Sequence, residues 1–252
     1  MRSRFKTFGW HFAGSASVML AVVGTLYVGW YRWPGWYLTG VLHILPILVG
    51  VDVALGPLVT LLIASPKKTS RALGRDIAVI VAVQLVALSY GAYTLWQGRP
   101  LYYAFSVNQL EVVQAGDIDP AEAARGRQSN PALAPHWYRG PRWIWAPLPE
   151  DQAASDAIVR SAVTGGSDVT DMPRYYRSWS EGLPELRRRL SPVGQSRFFS
   201  GVQRKRLAQR MRDLGLNPDE ANSIPFTGRD VPLLAVFDLR TLRMTALLSA
   251  KP

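Results

Sequence analysis

Three runs of about twenty mostly apolar residues, at positions 12–33, 42–64 and 77–96, occupy the first 96 positions of this 252-residue chain. A helix rises about 1.5 Å per residue, so roughly twenty residues match the hydrocarbon core of a bilayer. Buried helices of a water-soluble protein would show a polar face recurring at helical period. These runs carry only scattered single polar residues. The pattern predicts three transmembrane helices, with residues 1–96 as a membrane anchor and residues 97–252 as a separate domain.

Basic residues orient the anchor, because short loops rich in Lys and Arg stay in the cytoplasm. Arg2, Arg4 and Lys6 precede the first run, and Lys67, Lys68, Arg71 and Arg75 separate the second from the third. The loop between the first two runs holds only Arg32, among Trp30, Tyr31, Trp33, Trp36 and Tyr37, an aromatic cluster suited to a membrane interface. The N-terminus is then cytoplasmic, and three crossings deliver the residues after Trp96 to the opposite face. A cleaved signal peptide is the rival reading of the N-terminus. The first run is long for one and ends in bulky aromatics rather than small residues.

The formal net charge of +11 follows partly from this topology. The first 96 residues hold eight Lys and Arg against two acidic residues, and the remainder 21 against 16. Much of the basicity is therefore an orientation signal, and nucleic acid is not an expected partner. The chain has no cysteine, so it uses no disulfide even though its tail is expected in an oxidising compartment.

Asp52 is the residue that a membrane helix should least tolerate. A charge at the centre of such a helix costs about 2.5–3.5 kcal/mol on insertion scales, so it faces a partner helix, water or a functional group. Gln84 in the third run is the best internal partner, since it also lies deep in an apolar stretch and donates two hydrogen bonds. His43, nine residues before Asp52, falls on roughly the opposite helix face. Gly50, Ala54 and Gly56, with Ala87 and Gly91 on the third run, are small enough to let helices approach closely. Pro46 and Pro57 bend the second helix or relax its backbone bonding. Asp52 and Gln84 thus read as an intramembrane polar pair, serving either as a clasp between helices or as a binding group for an external partner.

The tail, about 156 residues, is long enough for one modest core. Residues 101–107 and 110–114 read as two strands around Asn108 and Gln109, and residues 231–238 and 242–249 as two more, so both ends of the tail join one sheet. Residues 151–163 form a helix stopped by Gly165 and Gly166. A second helix covers 202–214, with Leu207, Met211 and Leu214 as its inward stripe. Arg204, Lys205, Arg206, Arg210 and Arg212 occupy the rest of that helix, either as a solvated face or as a basic contact face for lipid headgroups or an acidic partner. A Pro- and Trp-rich stretch at 130–149 contains one short strand at 142–145. Its tryptophans serve either as core or as anchors for a protein partner.

No phosphate loop, HExxH or GxSxG motif is present, and the three histidines, His11, His43 and His136, lie in different regions. The expected chain has no catalytic residue, no metal site, no cofactor and no small-molecule substrate. His11 and His43 are expected near the membrane edges.

The second run, with Gly50-Val51-Asp52 and Leu55-Gly56-Pro57-Leu58 followed by Ser65-Pro66-Lys67-Lys68, resembles the TfpX/TfpZ type IV pilin accessory family. The resemblance continues through Arg75-Asp76-Ile77-Ala78, Gln84-Leu85-Val86-Ala87-Leu88 and Tyr90-Gly91 to Arg99-Pro100-Leu101-Tyr102-Tyr103-Ala104-Phe105-Ser106-Val107. It covers residues 1–120 well and the rest mainly at the terminal strands. Asn108-Gln109 stands where the family tends to place Asp-Arg, and the segment from Asn130 to Gly228 departs from it.

The resemblance implies a membrane protein with three transmembrane α-helices followed by an α+β extracytoplasmic domain. It implies an inner-membrane, chaperone-like accessory factor that binds a particular type IV pilin, with a periplasmic tail, contacts to membrane lipids and no catalysis of its own. The competing classes are a membrane-embedded transferase or transporter using Asp52, and a sensor with a periplasmic receptor domain.

Overall fold

The computed structural model describes residues 2–63, 69–136, 138–229 and 232–251. Ser65, Pro66, Lys67, Lys68, Trp137 and Val231 lie outside the described residues, as do the side chains of Arg2 and Arg4. The chain forms two compact units that do not divide at residue 96. One comprises Met1–Arg32 and Gly40–Gly98, the other Trp33–Thr39 together with the residues from Arg99 onward.

The helical unit begins with α1 (Arg2–Gly29). After α2 (Gly35–Leu38), which belongs to the other unit, comes α3 (Val41–Val49), entered through Gly40 at φ 74°, a conformation glycine adopts without steric cost. A π-helical segment, Gly50–Leu55, joins α3 to α4 (Gly56–Ile63), and the three run on as one apolar element. Next is α5 (Ser70–Gln97), whose first turn is capped by the Thr69 hydroxyl accepting from the Ala72 N–H.

Three helical stretches, Phe5–Gly29, Val41–Leu62 and Arg71–Gln97, are long and apolar enough to cross a membrane. The first starts earlier than the apolar run suggested and stops at Gly29, so Trp30, Tyr31 and Trp33 fall beyond the helix. Tyr31 is buried, its hydroxyl donating to the Leu95 carbonyl at 2.6 Å, and Trp30 meets Trp96 edge-on. These aromatics pin the end of α1 to the end of α5.

The second unit is a seven-stranded mixed sheet in the order β4-β3-β1-β2-β5-β6-β7. β1 (Pro100–Ser106) pairs antiparallel with β2 (Gln109–Gln114) and parallel with β3 (Arg142–Trp145), so it lies inside the sheet. Helix α6 (Pro120–Ser129) precedes β3, and α7 (Gln152–Val163) follows it. β4 (Arg177–Ser178) leads into α8 (Trp179–Arg189), and α9 (Gly201–Asp213) precedes β5 (Ser223–Thr227). The chain ends with β6 (Pro232–Phe237) and β7 (Met244–Ser249), antiparallel neighbours.

All of β1 is buried because both sheet faces are covered, and alternate residues serve different cores. Tyr103 and Phe105 join Leu110, Leu186, Ile224, Phe226 and Phe237 on one face, with Trp143, Trp145 and Trp179 packed around them. Tyr102 and Ala104 join Ile144, Ile158 and Tyr176 on the other. A third cluster, around α9, holds Leu207, Met211, Phe199 and Leu248. The tryptophans at 143 and 145 are therefore partly buried core.

The expected strands and helices of the tail all form, with ends shifted by a few residues, but α6, β4, α8 and β5 are additional. β5 contains Pro225, which ordinarily argues against an interior strand. It fits because the parallel ladder with β2 involves only Phe226 and Thr227. α8 contains Gly182 and Pro184. A Cβ at Gly182 would lie 2.6 Å from Trp145 side-chain atoms, so glycine there lets α8 approach β3.

The segment Trp33–Thr39 is the least expected part of this unit. Leu38 is fully buried in the core with Tyr103 and Phe226. Its carbonyl accepts from the Arg229 N–H at 2.9 Å, and the Thr39 carbonyl accepts from Gln114 Nε2 at 3.2 Å. A side chain at Gly228 would collide with the Leu38 backbone. The interhelical loop is thus an integral piece of the sheet unit, not simply an aromatic interface band.

Candidate functional site

Asp52 lies in the π-helical segment Gly50–Leu55 and is 4% exposed. Pro57 explains the local backbone. The Gly56 N–H reaches back five residues to the Val51 carbonyl. The next five-residue bond would join residue 57 to the Asp52 carbonyl, but proline has no N–H. The Asp52 carbonyl is thereby left without a backbone donor, a costly state in an apolar surrounding.

Gln84 of α5 supplies that donor. Its Nε2 donates to the Asp52 backbone carbonyl at 2.8 Å. The expected pair of residues does meet, but through the main chain of Asp52 and not its carboxyl group. With Nε2 committed, Gln84 Oε1 is left as an acceptor and takes a hydrogen bond from His11 Nε2 at 2.9 Å. The other ring nitrogen, Nδ1, lies 2.6 Å from Thr60 Oγ1, and the Thr60 hydroxyl is 3.1 Å from the Gly56 carbonyl. With Nδ1 bare, Thr60 donates to the ring; with Nδ1 protonated, the ring donates to Thr60, which turns its hydrogen to Gly56. The network closes in either charge state of His11, and it ties all three helical spans together.

His11 and Thr60 are the members that sequence reasoning did not place here. The apolar run in the sequence begins at Phe12 and so places His11 at a membrane edge, whereas the apolar helical stretch begins at Phe5. Thr60 carried a signal: Asp52, Gly56 and Thr60 recur at four-residue spacing, which puts them on one helix face.

The small residues divide into two groups. A Cβ at Gly56 would fall well inside 3.0 Å of the Gln84 amide, and one at Gly91 would fall 2.5 Å from Leu48 Cδ1. Both glycines let helices pack. Gly50, in contrast, has open space where its Cβ would be, and Ala54 is exposed. These two take no part in close approach within the chain. Ala87 is half-buried.

The Asp52 carboxyl group differs from its carbonyl. Both of its oxygens are buried and neither has a hydrogen-bond partner. It lines a cavity of about 230 Å³ together with Trp10, His11, Ser15, Met19, Gln84 and Leu88. The second span packs against both of the others, which leaves this gap between the first and third.

Elsewhere the expected contact residues are largely engaged within the fold. On α9, Arg204 donates to the carbonyls of Ser196 and Phe199, Arg206 to that of Ala250, and Arg210 to that of Ser249. Arg212 bonds Gln209, and Lys205 is exposed. Leu207 and Met211 are buried as expected, while Leu214 is 59% exposed because α9 ends before it. His43 is exposed on α3, and His136 packs on the Tyr138 ring.

A carboxyl cluster lies on the sheet unit. Thr170 donates to Glu111 Oε2 at 2.9 Å, and Asp171 accepts from the Asp168 N–H at 3.0 Å. Burial pushes Glu111 above the usual carboxylate range, and burial, with nearby Asp117 and Glu111, pushes Asp171 up to about 6. Among the described residues, no group of His, Cys, Asp and Glu is arranged to hold a metal ion.

These features define a class: a chain of three apolar helices with an internal polar network, joined to a mixed-sheet α/β unit. Two proteins of Dichelobacter nodosus, the fimbrial assembly proteins of serogroup E1 and of serogroup I, are each 25% identical to it over 239 residues, spanning 92% of this chain and 90% of the relative. A third, of serogroups C1 and C2, is 30% identical over 113 residues, 45% of this chain and 86% of that protein. The chain belongs to the family of fimbrial assembly proteins. No protein-family profile matches it, and neither does any solved structure.

Proposed function

We propose that this protein supports type IV pilus assembly from the bacterial inner membrane by binding a specific pilin, as a chaperone-like accessory of the TfpX/TfpZ type without catalytic activity of its own. The similarity to fimbrial assembly proteins over nine-tenths of the chain carries the reading. The fold supports it: an apolar helical unit suits a bilayer, and a separate sheet unit offers a second surface. A subunit with one helix in the membrane and a head outside it would meet both at once. Two tethered contacts raise effective concentration, so each suffices when weak.

The proposed topology has a cytoplasmic N-terminus and a periplasmic tail. It gains support from the Trp33–Thr39 segment. Because that loop folds into one unit with the residues from Arg99 onward, loop and tail share one side, as three crossings require.

The test is deletion of the gene together with crosslinking in native membranes. The expected outcome is a loss of surface pili or of pilin, and a trapped adduct between this chain and a pilin. Normal piliation with no adduct overturns the reading.

A further inference from the structure

We propose that the cavity holding Asp52 is a receptor for a single amine group carried at mid-depth by the membrane-spanning helix of a partner protein. The inference rests on the preceding reading for the identity of the partner, and on the cavity alone for the chemistry.

The first observation is the state of Asp52. Its side chain is buried at 4% exposure, faces a cavity, and has no partner for either oxygen. A buried carboxyl group without partners is destabilising whether charged or neutral, since the carboxylate needs donors and the acid needs an acceptor for its proton. The donors of the polar network are committed elsewhere: Gln84 Nε2 to the Asp52 carbonyl and His11 Nε2 to Gln84. The group is held open toward the cavity.

The second observation is what surrounds it. Trp10, Val18, Met19, Val81, Leu85 and Leu88 make most of the lining apolar, with Ser15, His11 and Gln84 its polar members beside Asp52, and Trp10, Val18 and Leu85 are among the exposed side chains, so they form the mouth. An apolar wall around one acidic group fits one cationic donor on an apolar stem. A hydroxyl would satisfy one oxygen without supplying charge, whereas an ammonium supplies both charge and several donors.

Depth decides between sources. Asp52 lies near the middle of the Val41–Leu62 span, roughly 15 Å from either end at 1.5 Å rise per residue. A lipid amine cannot reach it without bringing its phosphate into hydrocarbon beside an acid. A helix that already spans the bilayer carries a side chain to that depth without moving a headgroup.

The test has two arms with the full-length protein. In nanodiscs of neutral lipid, hexylammonium is titrated against wild type, Asp52→Asn and Gly14→Leu, with hexanol and hexanoate as controls. Gly14 lines the cavity and its Cβ position is open, so leucine there fills the space without touching the network. The expected result is saturable binding of hexylammonium alone, weakened at least tenfold by either substitution. Equal binding in all three proteins, or equal binding of hexanoate, overturns the receptor.

In native membranes, photoreactive probes are attached to single cysteines, available because the chain has none of its own. Val18→Cys and Leu85→Cys at the mouth should trap a pilin, and Leu20→Cys and Val86→Cys should not. The adducts should disappear with Asp52→Asn at unchanged protein level. Amine binding without a pilin adduct keeps the receptor and refutes pilin as its occupant. A pilin adduct indifferent to Asp52, with no amine binding, refutes the receptor and leaves the assembly role standing.

Discussion

Replacing Gly56 with alanine places a methyl group well inside 3.0 Å of the Gln84 amide, so the Gln84 side chain must leave its position. Two hydrogen bonds go with it, Nε2 to the Asp52 carbonyl and Oε1 from His11. Interhelical hydrogen bonds in membranes are worth about 0.6–2 kcal/mol each, so the loss of two is about 1–4 kcal/mol. The gain in helix propensity from Gly to Ala returns up to about 1 kcal/mol. The net effect is therefore a modest destabilisation that other mechanisms could mimic, and the double-mutant cycle is the decisive measurement. In a Gln84→Ala background the clash and both hydrogen bonds are already gone, so Gly56→Ala becomes neutral or stabilising. The expected coupling is at least about 1 kcal/mol, read from reversible detergent unfolding of the four proteins. Single effects that add within about 0.5 kcal/mol would refute the account, because independent sites add to that tolerance.

Leu38→Ala should destabilise the sheet unit by about 2–5 kcal/mol although residue 38 lies between two apolar helices, since the leucine is fully buried among Tyr103 and Phe226. Thermal unfolding of the full chain followed by proteolysis of the tail reads this, and an unchanged midpoint contradicts the packing. The carboxyl cluster predicts a pH dependence. Asp171 titrates at about 6 in the fold against an ordinary 3.8, so the folded unit holds the proton more tightly. Its contribution is full below the unfolded value and lost as pH rises through about 6, with Glu111 shifted in the same direction. After allowance for partial solvation this amounts to about 1–2 kcal/mol between pH 4 and 7. The midpoint of Asp171→Asn should vary less over that window, and an equal slope in both proteins argues against the assignment. A cytoplasm-only reporter fused after Pro252 should be inactive, and activity there would reverse the proposed topology.

Much of the architecture is visible in the pattern of residues. Runs of apolar residues long enough for a bilayer follow from composition alone. The strands at β1, β2, β3, β6 and β7 follow from aromatic and β-branched content, because a strand buried on both faces must be apolar throughout. Helix α9 follows from Leu207 and Met211 at four-residue spacing. What was hidden were elements whose local signals conflict with their final state. Pro225 in β5 and the Gly182 and Pro184 of α8 are poor formers that only neighbouring ladders and Trp145 make acceptable. The loop Trp33–Thr39 reads as interfacial because its affinity for the sheet unit rests on Leu38 and Thr39 meeting Gln114, Gly228 and Arg229, which lie far from them in sequence.

The polar site between the apolar helices divides in the same way. Sequence by itself determined that Asp52 and Gln84 are polar residues in apolar helices, and that polar groups in such helices must find partners. Only the tertiary structure decided which atoms meet. Pro57 removes a backbone donor, the Asp52 carbonyl takes one from Gln84, and Gly56 leaves room for it. His11 and Thr60 complete the network from positions that no local pattern connects. The Asp52 carboxyl group, the feature most conspicuous in the sequence, is left facing a cavity with no partner. The physical reason is that hydrophobicity sums along the chain and is readable there, whereas a hydrogen bond depends on angles and distances of a few tenths of an ångström, set only once helices have packed.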